Sequence, residues 1–289
     1  MIDLHTHSLF SDGSESPTRI CELAYQAGCT TLALTDHDTL GGIPEAREAS
    51  KRLGIKLIPG CEVSFKLPVL AEYSTGQQSA HALVYFLDHN TPLDDKLSNI
   101  RKGRITRNIS IVQLLNEHGM EISYAEIVAE AGNEETTGRP HIASVMMRKG
   151  YVQNISDAFD RWLGYGRPAY VPRTSLSAEQ LAELASASNS LVVLAHPLRI
   201  GMPRDNLDVL VGYLSSIGFT GLEAYYSTYT PDERNLLARL AADYEMIATG
   251  GSDFHGTYKP GISIGTGTGD LDVPDSVAEQ LMAHHELRH

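Results

Sequence analysis

His5 and His7 follow the apolar pair Ile2 and Leu4, with one residue between them. At strand spacing, residues two apart point to the same side, so both imidazoles can face one point. Asp12 follows in a Ser-Asp-Gly turn, and a second apolar run ends in Thr35-Asp36-His37-Asp38. Glu62 sits just past Ile58-Pro59-Gly60, His81 opens another apolar run, and His196 ends Leu-Val-Val-Leu-Ala-His-Pro. A last run leads into Gly250-Gly251-Ser252-Asp253-Phe254-His255. A lone histidine beside a strand is usually a satisfied core or surface group, and His81 by itself would be read that way. Six strands that bring imidazole or carboxylate to one rim are harder to dismiss. Mixed nitrogen and oxygen ligands suit zinc, manganese or iron, whereas all-oxygen shells suit magnesium or calcium. The nine candidates (His5, His7, Asp12, His37, Glu62, His81, His196, Asp253 and His255) exceed the roughly four ligands of one tetrahedral ion. They predict two to three divalent metal ions with a bridging carboxylate.

Such a set needs a frame that returns the chain to the same rim. Short apolar strands alternating with amphipathic helices supply one, and imply parallel β/α packing. The pattern predicts strands over 2–5, 31–35, 56–58, 80–87, 191–195, 221–224 and 246–249. It predicts helices over 17–27 and 44–53, each opened by Pro and closed by Gly, and over 205–217 and 231–244. Residues 93–170 break the alternation with consecutive helices near 93–118, 124–130, 140–149 and 156–163. The expected organisation is a barrel-like α/β domain over 1–92 and 171–289, with an inserted helical subdomain over 93–170. In barrels the active site lies at the C-terminal rim.

Composition narrows the chemistry. The 289 residues carry a formal net charge of −13, unevenly spread: residues 95–173 hold +2 and the remainder −15. A strongly acidic surface argues against broad binding to a long nucleic-acid backbone. Clustered carboxylates suit bound divalent cations, and the basic-leaning insert could attract a small anion. Cys21, Cys29 and Cys61 are too few and scattered for a disulfide framework. The apolar stretches fall far short of the ~20 residues that span a bilayer. With no basic amino-terminal leader, the expectation is a soluble cytoplasmic protein with no membrane association and no obligate protein partner.

The run His5-Thr6-His7-Ser8-x-x-Ser11-Asp12-Gly13, then Thr35-Asp36-His37-Asp38, Gly60-Cys61-Glu62, Ala195-His196-Pro197 and Gly251-Ser252-Asp253-x-His255, resembles the PHP (polymerase and histidinol phosphatase) family. The resemblance covers the whole chain. It implies a distorted (β/α)7 TIM-like barrel with a three-metal rim. It further implies that His5, His7, Glu62 and Asp253 hold one ion, that Glu62, His81 and His196 hold a second, and that Asp12, His37 and His255 hold a third. Many members have His where this chain has Asp12. Within the family the chain looks most like the stand-alone branch whose helical insert carries Gly-Arg-Pro-His, here Gly138-Arg139-Pro140-His141. That branch includes phosphatases of 3′,5′-nucleoside bisphosphates and exonucleases on short 5′-phosphorylated RNA. Polymerase-associated members are much longer, and 289 residues leave no room for a polymerase.

The expected activity is a metal-dependent phosphoesterase, with manganese favoured and zinc or iron as alternatives. A metal-bridging hydroxide would attack the 3′-phosphate of a small phosphorylated nucleotide. Glu62, His196 and Arg199 are the catalytic candidates, with Arg199 three residues past His196 and beside the rim. Arg139 and His141, at a helix N-terminus, are candidates for a remote 5′-phosphate. Without the family, Arg139 reads as a surface residue pairing with Glu134 or Glu135. His196, His141 and a metal-bound water all remain open as the proton donor. Arg101, Lys102, Arg104 and Arg107 fall on more than one side of their helix, as a solvated face would. Tyr225 and Tyr226 read as packed rather than base-stacking residues. Gly265, Gly267 and Gly269 read as a turn, and Ser252 lacks the second glycine of an acyl-serine motif. A short-RNA exonuclease, a histidinol-phosphate-type phosphatase, an amidohydrolase and a non-catalytic metal-stabilised module are the rivals.

Overall fold

The computed structural model describes residues 1–67, 79–132, 134, 137–172 and 174–288. Glu135, weighed above as a partner of Arg139, lies outside the described residues. Strands β1 (Ile2–Asp3), β2 (Thr31–Leu34), β3 (Lys56–Lys66), β4 (Ser79–Tyr85), β5 (Leu176–Ser177), β6 (Leu191–Leu194), β7 (Gly221–Tyr226) and β8 (Ile247–Gly251) form one sheet. Its order is β1-β2-β3-β4-β6-β7-β8, with β5 alongside β3. The two ends of that path meet. Leu4 donates its amide to the Gly250 carbonyl at 3.2 Å, and Thr6 pairs in parallel with Phe254. A Cβ on Gly251 would lie 2.4 Å from the His5 nitrogen, so only glycine lets β8 come this close to β1. The result is a distorted TIM-like barrel.

Ten α-helices accompany it among the described residues: α1 (Pro17–Ala27), α2 (Ile43–Leu53), α3 (Pro92–Glu117), α4 (Tyr124–Ala131), α5 (Arg139–Arg148), α6 (Ile155–Ala158), α7 (Ala178–Ala187), α8 (Arg204–Ser216), α9 (Pro231–Asp243) and α10 (Ser276–Glu286). The signals read in α1 are those that shape it. Ser16 Oγ accepts from the Arg19 amide at 3.1 Å, Pro17 starts the helix, and Gly28 stops it at φ 83°.

Two features depart from the all-parallel frame predicted from sequence. β4 runs antiparallel to both β3 and β6. It therefore brings its N-terminal end to the rim that the other strands reach with their C-terminal ends, which is why His81 opens its strand and still meets the site. β3, predicted to end at residue 58, continues to Lys66. Its first part, Lys56–Pro59, pairs in parallel with β2, and Gly60–Lys66 pairs with β4. Pro59 lacks an amide donor and sits where the ladder changes sides, so it marks a switch of neighbour rather than a strand end. A Cβ on Gly60 would lie 2.4 Å from the Val84 carbonyl oxygen, and its absence permits the switch. Glu62 thus lies inside a strand, not beyond one.

Alternation along the strands then divides the barrel interior. Ile58 shares a face with Glu62, and Leu83 and Tyr85 share one with His81. Ile58, Leu83, Tyr85, Leu191 and Val193 pack as the core, and Val277, Ala278 and Leu281 of α10 close that end. The charged members of the same lines collect at the opposite end.

The chain divides into two compact units, residues 1–97 with 175–289, and residues 98–174. The second holds most of α3 with α4 to α6 and a single π-helical turn, Phe159–Leu163. Ile111, Leu115, Ile127, Ile142 and Met146 belong to its own buried core. Among the described residues, no helix is long and apolar enough to cross a membrane.

Candidate metal centre

At the polar end of the barrel, side chains from β1, β3, β7 and β8 converge. His5 Nε2 lies 3.1 Å from His7 Nε2, 3.2 Å from Glu62 Oε2 and 3.5 Å from Asp253 Oδ1. His7 Nε2 lies 3.1 Å from the same Glu62 oxygen and 3.4 Å from the same Asp253 oxygen. Four ligands about 2.1 Å from one tetrahedral centre stand about 3.4 Å apart, so these atoms outline a cation site without rearrangement. Two imidazole nitrogens facing two carboxylates is also the right donor chemistry for manganese, zinc or iron.

The other oxygen of Glu62 turns away to a second group. Its Oε1 lies 2.7 Å from His81 Nδ1 and 2.8 Å from His196 Nε2. These are direct hydrogen-bond distances, and the three atoms would part by a few tenths of an ångström to share an ion. His37 Nδ1 also approaches Glu62, at 3.5 Å from Oε2, so His37, Glu62 and His81 form a further group able to hold a cation. Asp12 gathers the third set: His255 Nε2 at 3.2 Å, His37 Nε2 at 3.6 Å and His7 Nδ1 at 3.6 Å. All nine predicted ligands therefore meet around Glu62, Asp253 and Asp12.

The charge balance fits the same picture. Burial alone would raise the Glu62 carboxyl, but His37, His81 and His5 hold it well below the usual range. Asp253 is likewise held well below, by His5 and His7 against its burial. Burial would lower His7, yet hydrogen bonds to Asp253 and Glu62 carry it up to about 9. His37 goes the other way, to about 4, because its removal from water outweighs the attraction of Glu62.

Several supports were not legible as such. Glu223 is fully buried on β7, with Oε1 2.8 Å from His5 Nδ1 and Oε2 accepting from the His196 amide at 2.6 Å. A carboxylate behind the ring fixes which nitrogen faces the metal. It also pins His196 at φ 28°, a left-handed conformation uncommon for a non-glycine residue; Asp253 is similar at φ 55°. Asp36, quoted above without a role, accepts from the Ser8 amide and from the Ser8 and Ser11 hydroxyls at 2.6–2.7 Å, shaping the loop that follows His7. Tyr226 is buried, as predicted, but its hydroxyl belongs to the site, donating to Asp253 Oδ2 at 2.6 Å. Lys259 donates to that oxygen at 2.5 Å.

Arg199, in the turn Pro197–Ile200, donates to the Tyr226 hydroxyl at 2.8 Å and stands 3.9 Å from Asp253 Oδ2. Arg139 starts α5 in the second unit. It donates to the Leu163 carbonyl at 3.1 Å and lies over the Phe159 ring. His141 Nδ1 accepts from the Gly138 amide at 3.1 Å, capping the same helix. Arg107 of the basic run donates to the Val171 carbonyl. Gly265 donates to Asp3 in a turn, as predicted.

The PHP domain family matches residues 3–201. The chain is 34% identical to a 5′-3′ exoribonuclease of Haemophilus influenzae over 95% of its own length and 96% of the relative's. It is 31% identical to a 3′,5′-nucleoside bisphosphate phosphatase of Chromobacterium violaceum, over 91% and 90%. In structure it is similar to a Bifidobacterium adolescentis protein described as a metal-dependent phosphoesterase, with a TM-score of 0.74, 29% identity and coverage of 98% and 95%. It is also similar to an amidohydrolase of Chromobacterium violaceum solved with sulfate and no metal, with a TM-score of 0.76, 29% identity and coverage of 99% and 96%. The chain belongs to the PHP domain family and is a metal-dependent phosphoesterase.

Proposed function

We propose that the protein removes the 3′-phosphate of 3′,5′-nucleoside bisphosphates. The observation that carries this reading is Glu62, whose two oxygens face separate groups of imidazoles, so that one carboxylate serves two cation positions. Divalent ions bound there, manganese first among them, supply Lewis acidity and an activated water. The protein's own residues orient and select. Glu223 holds His5 and His196 in place, and Asp36 holds the loop after His7. Arg199 meets the charge that develops on the phosphoryl oxygens. Arg139, assisted by His141, holds the remote 5′-phosphate. Cys21, Cys29 and Cys61 are buried and form no disulfide among the described residues, which fits a reducing compartment such as the cytoplasm.

The net charge of −15 outside residues 95–173 supports a small substrate over a long strand. Shortening of 5′-phosphorylated RNA is the second reading, favoured by the 34% identity to the Haemophilus enzyme. Protein stripped of metal and reloaded with manganese separates them. It should release phosphate from a 3′,5′-bisphosphate faster than it shortens a 5′-phosphorylated trinucleotide. Faster RNA shortening would select the second reading, and full activity in excess chelator would refute both.

A further inference from the structure

Asp253 collects more positive charge than one carboxylate can balance. Its Oδ1 faces His5, His7 and His255 at 3.4–3.5 Å. Its Oδ2 accepts from Tyr226 at 2.6 Å and from Lys259 at 2.5 Å, and Arg199 Nη1 lies 3.9 Å away. The two cations come from separate turns, Arg199 after β6 and Lys259 after β8. Both keep access to solvent, with 55% of the Arg199 side chain and 30% of the Lys259 side chain exposed. If Oδ1 helps to hold an ion, two fixed cations share the one remaining oxygen. Such a corner calls for a further anion.

Building on the phosphoesterase reading above, we propose that Lys259 and Arg199 together grip the phosphoryl group under attack, with Asp253 holding both cations in place until it arrives. Because both nitrogens lie off one oxygen, they stand no more than about 6.4 Å apart, within reach of two oxygens of one phosphoryl group. The two are not redundant. Arg199 offers a planar fork set by the Tyr226 hydroxyl, while Lys259 is a compact point charge that can swing from Asp253 to the ligand.

Lys259→Met keeps the length of the side chain and removes its charge, and Lys259→Arg restores charge. Manganese-loaded proteins would be compared by metal content and by calorimetric binding of inorganic phosphate. Lys259→Met should retain the manganese of the unaltered protein and bind phosphate roughly ten- to hundredfold more weakly. Lys259→Arg should recover most of that loss. Combined with Arg199→Ala, the Met variant should lose less than the product of the two single effects, because both cations hold one group. Loss of manganese in Lys259→Met would show that Lys259 merely fixes Asp253, and unchanged phosphate affinity would show that it grips nothing. Either result overturns the proposal. Phosphate binding that depends on Lys259, without turnover of bisphosphates, would refute only the substrate reading.

Discussion

The inner and outer parts of the rim use the same side-chain types but support them differently. Around His5, His7, Glu62 and Asp253, most ligands are held from behind. Glu223 backs His5, and Tyr226 and Lys259 occupy the far oxygen of Asp253. Each of the four is almost fully buried. Around Asp12, His37 and His255 the support thins. The Asp12 side chain is 56% exposed and stands in a turn, and His37 is a quarter exposed. His255 alone there is braced, with Nδ1 2.8 Å from the Asp253 carbonyl. Ligands fixed in advance lose little freedom when an ion binds, whereas a mobile carboxylate must be ordered at that moment. The inner position should therefore hold its ion through dilution, and the outer position should exchange.

The contrast breaks most severely at Glu223. In Glu223→Gln the amide oxygen can still accept from the His196 backbone, but the NH2 group then faces His5 Nδ1. His5 must become the acceptor there, which places its proton on Nε2, the nitrogen aimed at the ion. Inner-site affinity should fall about 10- to 100-fold, read by competition with a metal-binding dye. An unchanged affinity would mean that support from behind is not what distinguishes the two positions.

A smaller effect is expected at Asp12. Asp12→Ala should remove one weakly held equivalent of manganese and lower turnover about tenfold, with excess manganese restoring part of it. Loss of tightly bound metal in this variant would reverse the ranking.

Proton release sharpens the comparison further. Ligation requires neutral imidazole. His7 keeps its proton up to about 9, so an ion entering the inner position at pH 7 must displace it. Inner affinity should then rise with pH through about 9. His37 is already neutral above about 4, so ligation by its ring costs no proton at pH 7. Calorimetry in buffers of different ionisation enthalpy, on Asp12→Ala and on the unaltered protein, should show proton release on binding of the inner ion, from His7 and from His5, which Glu223, Asp253 and Glu62 hold well above the usual imidazole range against its burial. Proton release confined to the outer ion would contradict this assignment.

Much of this was readable from the residues alone, for definite reasons. His5-x-His7 and Asp253-x-His255 stand at the ends of apolar runs, where period-two spacing and barrel geometry leave few alternatives. What escaped was written in a different grammar. Glu223 lies inside Gly221-Leu222-Glu223-Ala224-Tyr225-Tyr226, and a single carboxylate within a strand has no spacing partner to betray it. Lys259 sits in a turn rich in glycine and proline beyond the last motif, and only the return of that turn onto Asp253 gives it meaning. The reversal of β4 was invisible because an antiparallel strand and a parallel one share the same alternation. α7 did carry a usable signal, Ser177 with Gln180 as a capping box, and it was not read.

The central claim is that one carboxylate, Glu62, serves more than one ion. Counting manganese per chain by elemental analysis in Glu62→Ala tests it most directly, with His89→Ala, which changes an exposed histidine outside the motifs, as the control. Glu62→Ala should lose more than one equivalent while His89→Ala loses none. A loss of one equivalent or less in Glu62→Ala would contradict it.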